Sequence, residues 1–317
     1  MSNYLFKTYI HNGKEYYLYK KGQKTVKKEF PFPESLLRFQ CLDVWQYEPL
    51  FKKMDRALMN YYPSKDEKFL QEVLSALDEL APVHIYFELL QVVWKDKIEQ
   101  AMEKRQGDST RLLPHKELSH VPSNLAQIQK QLWAFFSNVL DIDQSKRPTT
   151  ERLAQYYSAH GKDTLATFQF ETIPVSFELI DQHTFAEVLC PKDIYGMIDF
   201  QLRECARQKI KMRICKNCGR YFAVTGNSKT EYCDLTLDEK GRTCKEFGAI
   251  HMWNQKRADD AVFKIYRREY KKRFAWIKAG RIKPEDFYTW SEQAREKKAQ
   301  CEAGEISMDE FAVWLEK

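Results

Sequence analysis

Four cysteines carry the clearest chemical signal in this chain: Cys215, Cys218, Cys233 and Cys244, spaced C-x2-C-x14-C-x10-C. Thiolates are the ligands that tetrahedral zinc prefers, and four of them leave no open position for water or substrate. The spacing therefore predicts a structural Zn2+ site and no catalytic metal. A lone CxxC is also a redox motif, but two further cysteines and no thioredoxin-like βαβ pattern favour the metal. Gly219, just past the second cysteine, permits the left-handed turn that follows such a knuckle. Phe222 then offers an apolar cover. Ligation of this kind contributes free energy of order 10 kcal/mol to the folding of a small module.

Other chemistry-bearing residues give weaker patterns. His84 and Glu88 lie four apart on one expected helix face, with no second carboxylate or histidine at ligand spacing; a satisfied helix-surface pair is the simpler reading. His251-Met252-Trp253-Asn254 bears a faint likeness to zinc-supported His-Asn nucleases without a recognisable second catalytic histidine. No phosphate-cradling glycine loop, Walker motif or nucleophile elbow occurs, so no catalytic residue is assigned. The remaining cysteines, Cys41, Cys190, Cys205 and Cys301, read as buried free thiols.

The net charge of +6 is unevenly distributed. Residues 201–283 hold 22 Lys+Arg against 9 Asp+Glu, whereas residues 284–317 hold 4 against 9. Such segregation points to a polyanionic partner, because Lys and Arg neutralising phosphates dominate nucleic-acid affinity. The candidate contacts are Arg213, Lys216 and Arg220 on the knuckle, then Lys256, Arg257, Lys264, Arg267, Arg268, Lys271 and Lys272 on the following helix, with Tyr221, Tyr266 and Tyr270 interleaved. A second reading stays open. In it the zinc module is an adaptor for a protein partner, with the acidic tail folded back on the basic helix as an internal charge match.

The elements that must position these residues are mostly helical, giving a mainly α fold with small β elements (α+β). Asn12-Gly13 suits a tight hairpin turn between strands at 4–10 and 15–20, followed by a basic linker (Lys20, Lys21, Lys24, Lys27, Lys28). Helices are expected over 67–80, 83–104, 122–140 and 149–157 from their three- and four-residue apolar spacing. Period-two alternation at Phe168 and Phe170, then at Val175, Phe177 and Leu179, predicts two short strands within 167–180. Asp193 is placed to cap a helix that runs into the cysteines. Beyond them, 254–279 reads as one helix, with Val262, Tyr266, Tyr270 and Phe274 on one face and the basic residues on another. Pro284 opens the next helix, and Ser307-Met308-Asp309-Glu310 is a capping box. The expected segments are 1–32 (hairpin and basic linker), 33–210 (helical domain with the strand pair), 211–250 (zinc module) and 251–317 (basic helix and acidic helices).

The run Cys-x2-Cys-Gly-Arg-Tyr-Phe, then Tyr-Cys and a last Cys at a helix start, resembles the CGNR-type zinc fingers over about residues 212–250. It looks closer still to uncharacterised bacterial proteins, often carried on mobile elements, that share Tyr-Cys-Asp…Thr-Cys-Lys-Glu (Tyr232 to Glu246 here). The resemblance implies a treble-clef-like module, ligated by Cys215, Cys218, Cys233 and Cys244, and DNA binding beside a separate N-terminal domain. Two features depart from that type. The last two cysteines are ten residues apart, and Lys245-Glu246-Phe247 stands where the family has Gly-Asn-Arg.

Composition bounds the rest. With 43% hydrophobic residues, only 11 Gly and 11 Pro, the chain can bury a core. The N-terminus lacks a basic segment followed by an apolar run, and no stretch approaches about 18 uninterrupted apolar residues. A cytoplasmic protein with no membrane partner and no small-molecule cofactor is expected.

Overall fold

The computed structural model describes residues 4–22, 24–103, 112–114, 116–226, 229–235, 241–246, 248 and 261–316. They form two compact units: Met1–Ile214 with Arg220–Thr230, and Cys215–Gly219 with Glu231–Lys317. The class is α+β, as the periodicities predict. No helix among the described residues is long and apolar enough to cross a membrane.

The first unit begins with β1 (Phe6–His11), β2 (Lys14–Lys21) and β3 (Lys24–Pro31). Asn12 and Gly13 both take positive φ, 48° and 71°, which matches the strand twist across a two-residue turn. The expected basic linker is strand instead. Val26, Lys28 and Phe30 turn partly inward while Lys24, Lys27 and Glu29 face solvent. A lysine in the inward set hid the alternation, and Lys28 is accommodated there by an ion pair with the buried Glu88. The outward lysines lie on the edge of a five-stranded antiparallel sheet ordered β3-β2-β1-β5-β4, in which β4 is Val175–Leu179 and β5 is Phe185–Leu189, where exposed charge discourages pairing with another chain.

The helices α1 (Glu34–Gln40), α2 (Glu48–Ser64), α3 (Glu67–Leu80), α4 (Ile85–Glu103), α5 (Val121–Phe135) and α6 (Thr149–His160) follow. In α3 the predicted stripe is the buried one, through Leu70, Val73, Leu77 and Leu80. A π-helical turn, Phe136–Leu140, ends α5. Arg152 caps it by donating from Nε to the Asn138 carbonyl (2.9 Å) and from Nη2 to the Ser137 carbonyl (3.0 Å). A buried cation thus meets the negative end of a helix.

Of the two expected strands, the one through Val175, Phe177 and Leu179 forms where the alternation puts it, and the one through Phe168 and Phe170 does not. β4 (Val175–Leu179) pairs with β5 (Phe185–Leu189), and β5 pairs with β1 through Thr8↔Leu189 and Tyr9↔Val188. Phe168 and Phe170 lie in extended chain outside the sheet: Phe168 is fully buried and stacks on Tyr195 at 4.7 Å. Alternation there reflects packing onto helices and not ladder pairing. α7 (Ile194–Arg207) starts at Asp193, whose carboxylate accepts from Gly196 N at 2.8 Å. Asp193→Ala should lower stability by about 1 kcal/mol, the usual value of an N-cap. An unchanged urea midpoint would contradict it.

His84 and Glu88 form no surface pair; both are buried. The His84 Nδ1 accepts from Tyr86 N (3.2 Å), so its Nε2 donates to the Ser35 carbonyl (3.0 Å), and neither nitrogen is free for a metal. Burial pushes its pKa down to about 4. Glu88 accepts from Tyr19 and Lys28. Beside them lies a buried network. Ser35 N donates to Glu15 Oε1 (2.7 Å), and Gln201 Nε2 donates to Tyr17 Oη (2.6 Å) and, more distantly, to Glu15 Oε2 (3.4 Å).

The second unit contains α8 (Ala261–Lys278), α9 (Pro284–Glu302) and α10 (Met308–Glu316). Ala294, Phe311 and Leu315 form its core, with Val262, Ile265, Tyr266 and Trp290 packed on it. Phe287 is buried against Tyr270 at 5.1 Å and Phe274 at 5.8 Å. The expected capping box holds, with Ser307 N donating to Glu310 Oε2 at 2.7 Å.

Candidate metal centre

Between β6 (Met212–Ile214) and β7 (Tyr221–Ala223) the chain makes the turn Cys215–Gly219. Gly219 has φ +71° and donates its N–H to the Cys215 carbonyl at 2.9 Å, the left-handed closure that its position predicts. Cys233 returns beside the turn, tied by Lys216 N to the Glu231 carbonyl (3.0 Å). Cys244 opens a helical turn: Cys244 N donates to the Leu235 carbonyl (3.2 Å) and Lys245 N to the Cys233 carbonyl (3.1 Å).

The four sulfur atoms lie within 4.8 Å of one another, and Cys218 Sγ is 3.7 Å from Cys233 Sγ. Metal–sulfur bonds of about 2.3 Å in a tetrahedron require sulfurs about 3.8 Å apart, so the donor set and its spacing fit a metal ion. Further support comes from donors aimed at sulfur. Cys233 N reaches Cys215 Sγ and Asn217 Nδ2 reaches Cys244 Sγ, each at 3.4 Å. Burial pushes the Cys215 thiol up, but backbone N–H groups of Cys218, Cys233 and Asn217 outweigh it, and its pKa falls to about 7. Among the described residues no other set of three His, Cys, Asp or Glu converges in this way.

Asn217 and Glu246 were not singled out by spacing. Glu246 accepts from Thr243 N at 2.6 Å, fixing the turn that presents Cys244. Its signal is present in the sequence, since Thr-Cys-Lys-Glu is a capping box. Asn217 is simply one of the two variable residues of the CxxC, and nothing in the pattern marks it.

The expected nucleic-acid contacts divide. Lys264, Arg267, Arg268, Lys271 and Lys272 are all exposed on α8. Glu269 holds Lys272 at 3.1 Å and lies 3.5 Å from Arg268. Arg213 is committed elsewhere: Nε and Nη2 bind Asp143 at 2.7 and 2.8 Å, and Nη1 binds the Thr230 carbonyl. Lys216 is exposed but paired with Glu231 at 2.6 Å, and Arg220 is exposed. Tyr221 is buried, its ring 4.8 Å from Trp133 and its hydroxyl 3.1 Å from Asp141 Oδ2, so it is core and not a stacking platform. Lys256, Arg257 and the His251–Asn254 run lie outside the described residues. Of the four scattered cysteines only Cys205 is buried; Cys41 and Cys301 are half-buried and Cys190 is exposed where the chain leaves β5.

Fold and site together define an α+β protein with a cluster of four cysteines that could hold a metal ion. In comparisons with known proteins, residues 169–316 match a family of unknown function (DUF6076), a span that covers β4 to α10 and a little under half of the chain. Neither the curated proteins nor the solved structures give a match.

Proposed function

We propose that this is a zinc-stabilised, non-enzymatic protein that binds nucleic acid, with α8 contacting the phosphate backbone. The observation that carries it is the distribution of charge on α8. Its aromatic face packs on α9, leaving six cations (Lys264, Arg267, Arg268, Lys271, Lys272 and Lys278) exposed on one 18-residue helix. Phosphate contacts of this kind position a protein without reading bases. The internal charge match of the adaptor reading gains no support: among the described residues, the cations of α8 pair with Glu269 of their own helix and with no carboxylate of α9 or α10. Zinc is the metal suited to four thiolates, and the resemblance to CGNR-type fingers points to DNA as the nucleic acid.

The test is a titration of zinc-loaded protein with duplex DNA and with RNA between 50 and 300 mM salt, ranges of about this size resolving counterion release. Replacing Arg267, Arg268, Lys271 and Lys272 together by Ala should weaken binding. It should also flatten the dependence of log K on log salt by about one unit per lost contact. These side chains lie off the packed face, so the fold should persist. No binding at low ionic strength would refute the reading.

A further inference from the structure

The two edges of the five-stranded sheet are unlike. β3 carries exposed lysines, whereas β4 presents Val175, Phe177 and Leu179, which are 46%, 66% and 66% exposed. Phe185 of β5 lies beside them, 51% exposed, with its ring 4.6 Å from that of Phe177. Monomeric proteins rarely leave several large apolar side chains grouped at the surface.

The backbone of β4 is turned toward a partner as well. Ile180 N donates to the Thr184 carbonyl at 2.8 Å, so the ladder between β4 and β5 runs through Ile180, Glu178 and Ser176. In an antiparallel pair the alternate residues direct their N–H and C=O groups the other way. Those residues are Val175, Phe177 and Leu179, and among the described residues no strand lies beyond them.

A second β4 fits this edge. Two copies related by a two-fold axis through Phe177 set Phe177 opposite Phe177, and Val175 opposite Leu179 on either side. These are the residues with outward backbone groups, and each pair exchanges two N–H···O bonds, about six in all. No like charges meet. Glu178, the one charged residue of β4, stands opposite Ser176 and is held by Lys7 of its own chain. Self-complementarity of this kind is what an interface between identical copies requires.

We propose that β4 is the edge through which two copies of this chain join, making one continuous sheet across both. The interface belongs to the first unit and stands independently of the metal and of α8. A five-residue strand is small beside the roughly 1,200 Å2 that stable interfaces bury, so the dimer dissociates on dilution.

Sedimentation velocity on the full zinc-loaded chain should show a monomer–dimer equilibrium across the micromolar range. Phe177 is its own partner across the axis, which gives the test its specificity. Phe177→Lys and Phe177→Glu should each weaken self-association by about tenfold, since like charges replace an aromatic pair. An equimolar mixture of the two variants should dimerise more tightly than either alone, because it sets Lys against Glu. The position is exposed, and circular dichroism should show the fold unchanged in both. A wild-type chain that stays monomeric throughout, undiminished dimers in both variants, or a mixture no tighter than its components would each overturn the proposal.

Discussion

Stripping the metal with a chelator is expected to unfold residues 215–219, 231–235 and 241–246 while β1–β3 keep their protection in hydrogen exchange. The four buried or half-buried sulfurs lie within 4.8 Å of one another, and ligation by such sets contributes of order 10 kcal/mol. The first unit is different. It holds a large continuous core running from Phe6 through Trp94 to Leu202, which needs no metal. Cys215→Ser and Cys244→Ser should each reproduce the local loss, and elemental analysis of the wild type should give one zinc per chain. Finding no metal, or unchanged exchange after chelation, would remove the zinc reading. The nucleic-acid reading would then have to stand on α8 alone.

The second large effect concerns pH. Glu15 is fully buried, and burial pushes its pKa up to about 7 against the opposing hydrogen bonds from Ser35 and Tyr17. A carboxyl whose folded pKa is raised holds its proton more firmly in the folded state. Its stabilising contribution is complete below the unfolded value of 4.5 and is lost as pH rises through about 7. The loss amounts to about 3 kcal/mol. His84 works in the opposite direction: with its pKa lowered to about 4, its contribution is present above 6.5 and lost as pH falls. Glu15→Gln isolates the first term. Its unfolding free energy relative to wild type should rise by about 3 kcal/mol between pH 4.5 and 8. A pH-independent difference in urea titrations would show that Glu15 is not protonated in the fold.

Local signals in the sequence located what local forces build. The Asn-Gly turn, the stripe of α3, the Asp193 cap and the Ser307–Glu310 box depend on neighbours within a few residues, and all are where spacing puts them. The metal cluster was legible for the same reason, since ligand type and spacing are nearly the whole specification of a thiolate site. What failed depends on distant partners. β3 could not be told from a basic linker because Lys28 turns inward to meet Glu88, 60 residues away. Glu15 looks like any polar strand residue, and its burial follows from Gln201, 186 residues later. Arg213 looked free for phosphate until Asp143 approached it.

The sheet order has a consequence for synthesis of the chain. β1 lies between β2 and β5, yet β5 is made some 180 residues after it. At about 5–20 residues per second, the nascent chain carries an open β1 edge for roughly 10–40 seconds. Such an edge is a template for pairing with neighbouring chains. Lys7 sits on that edge, and in the finished fold it is nearly buried and paired with Glu178 at 2.5 Å. Until β4 emerges from the ribosome that partner does not exist, so Lys7 stands as a lone charge on the open strand. The same lysine thus guards the unfinished sheet and then, once Glu178 arrives, is neutralised within it.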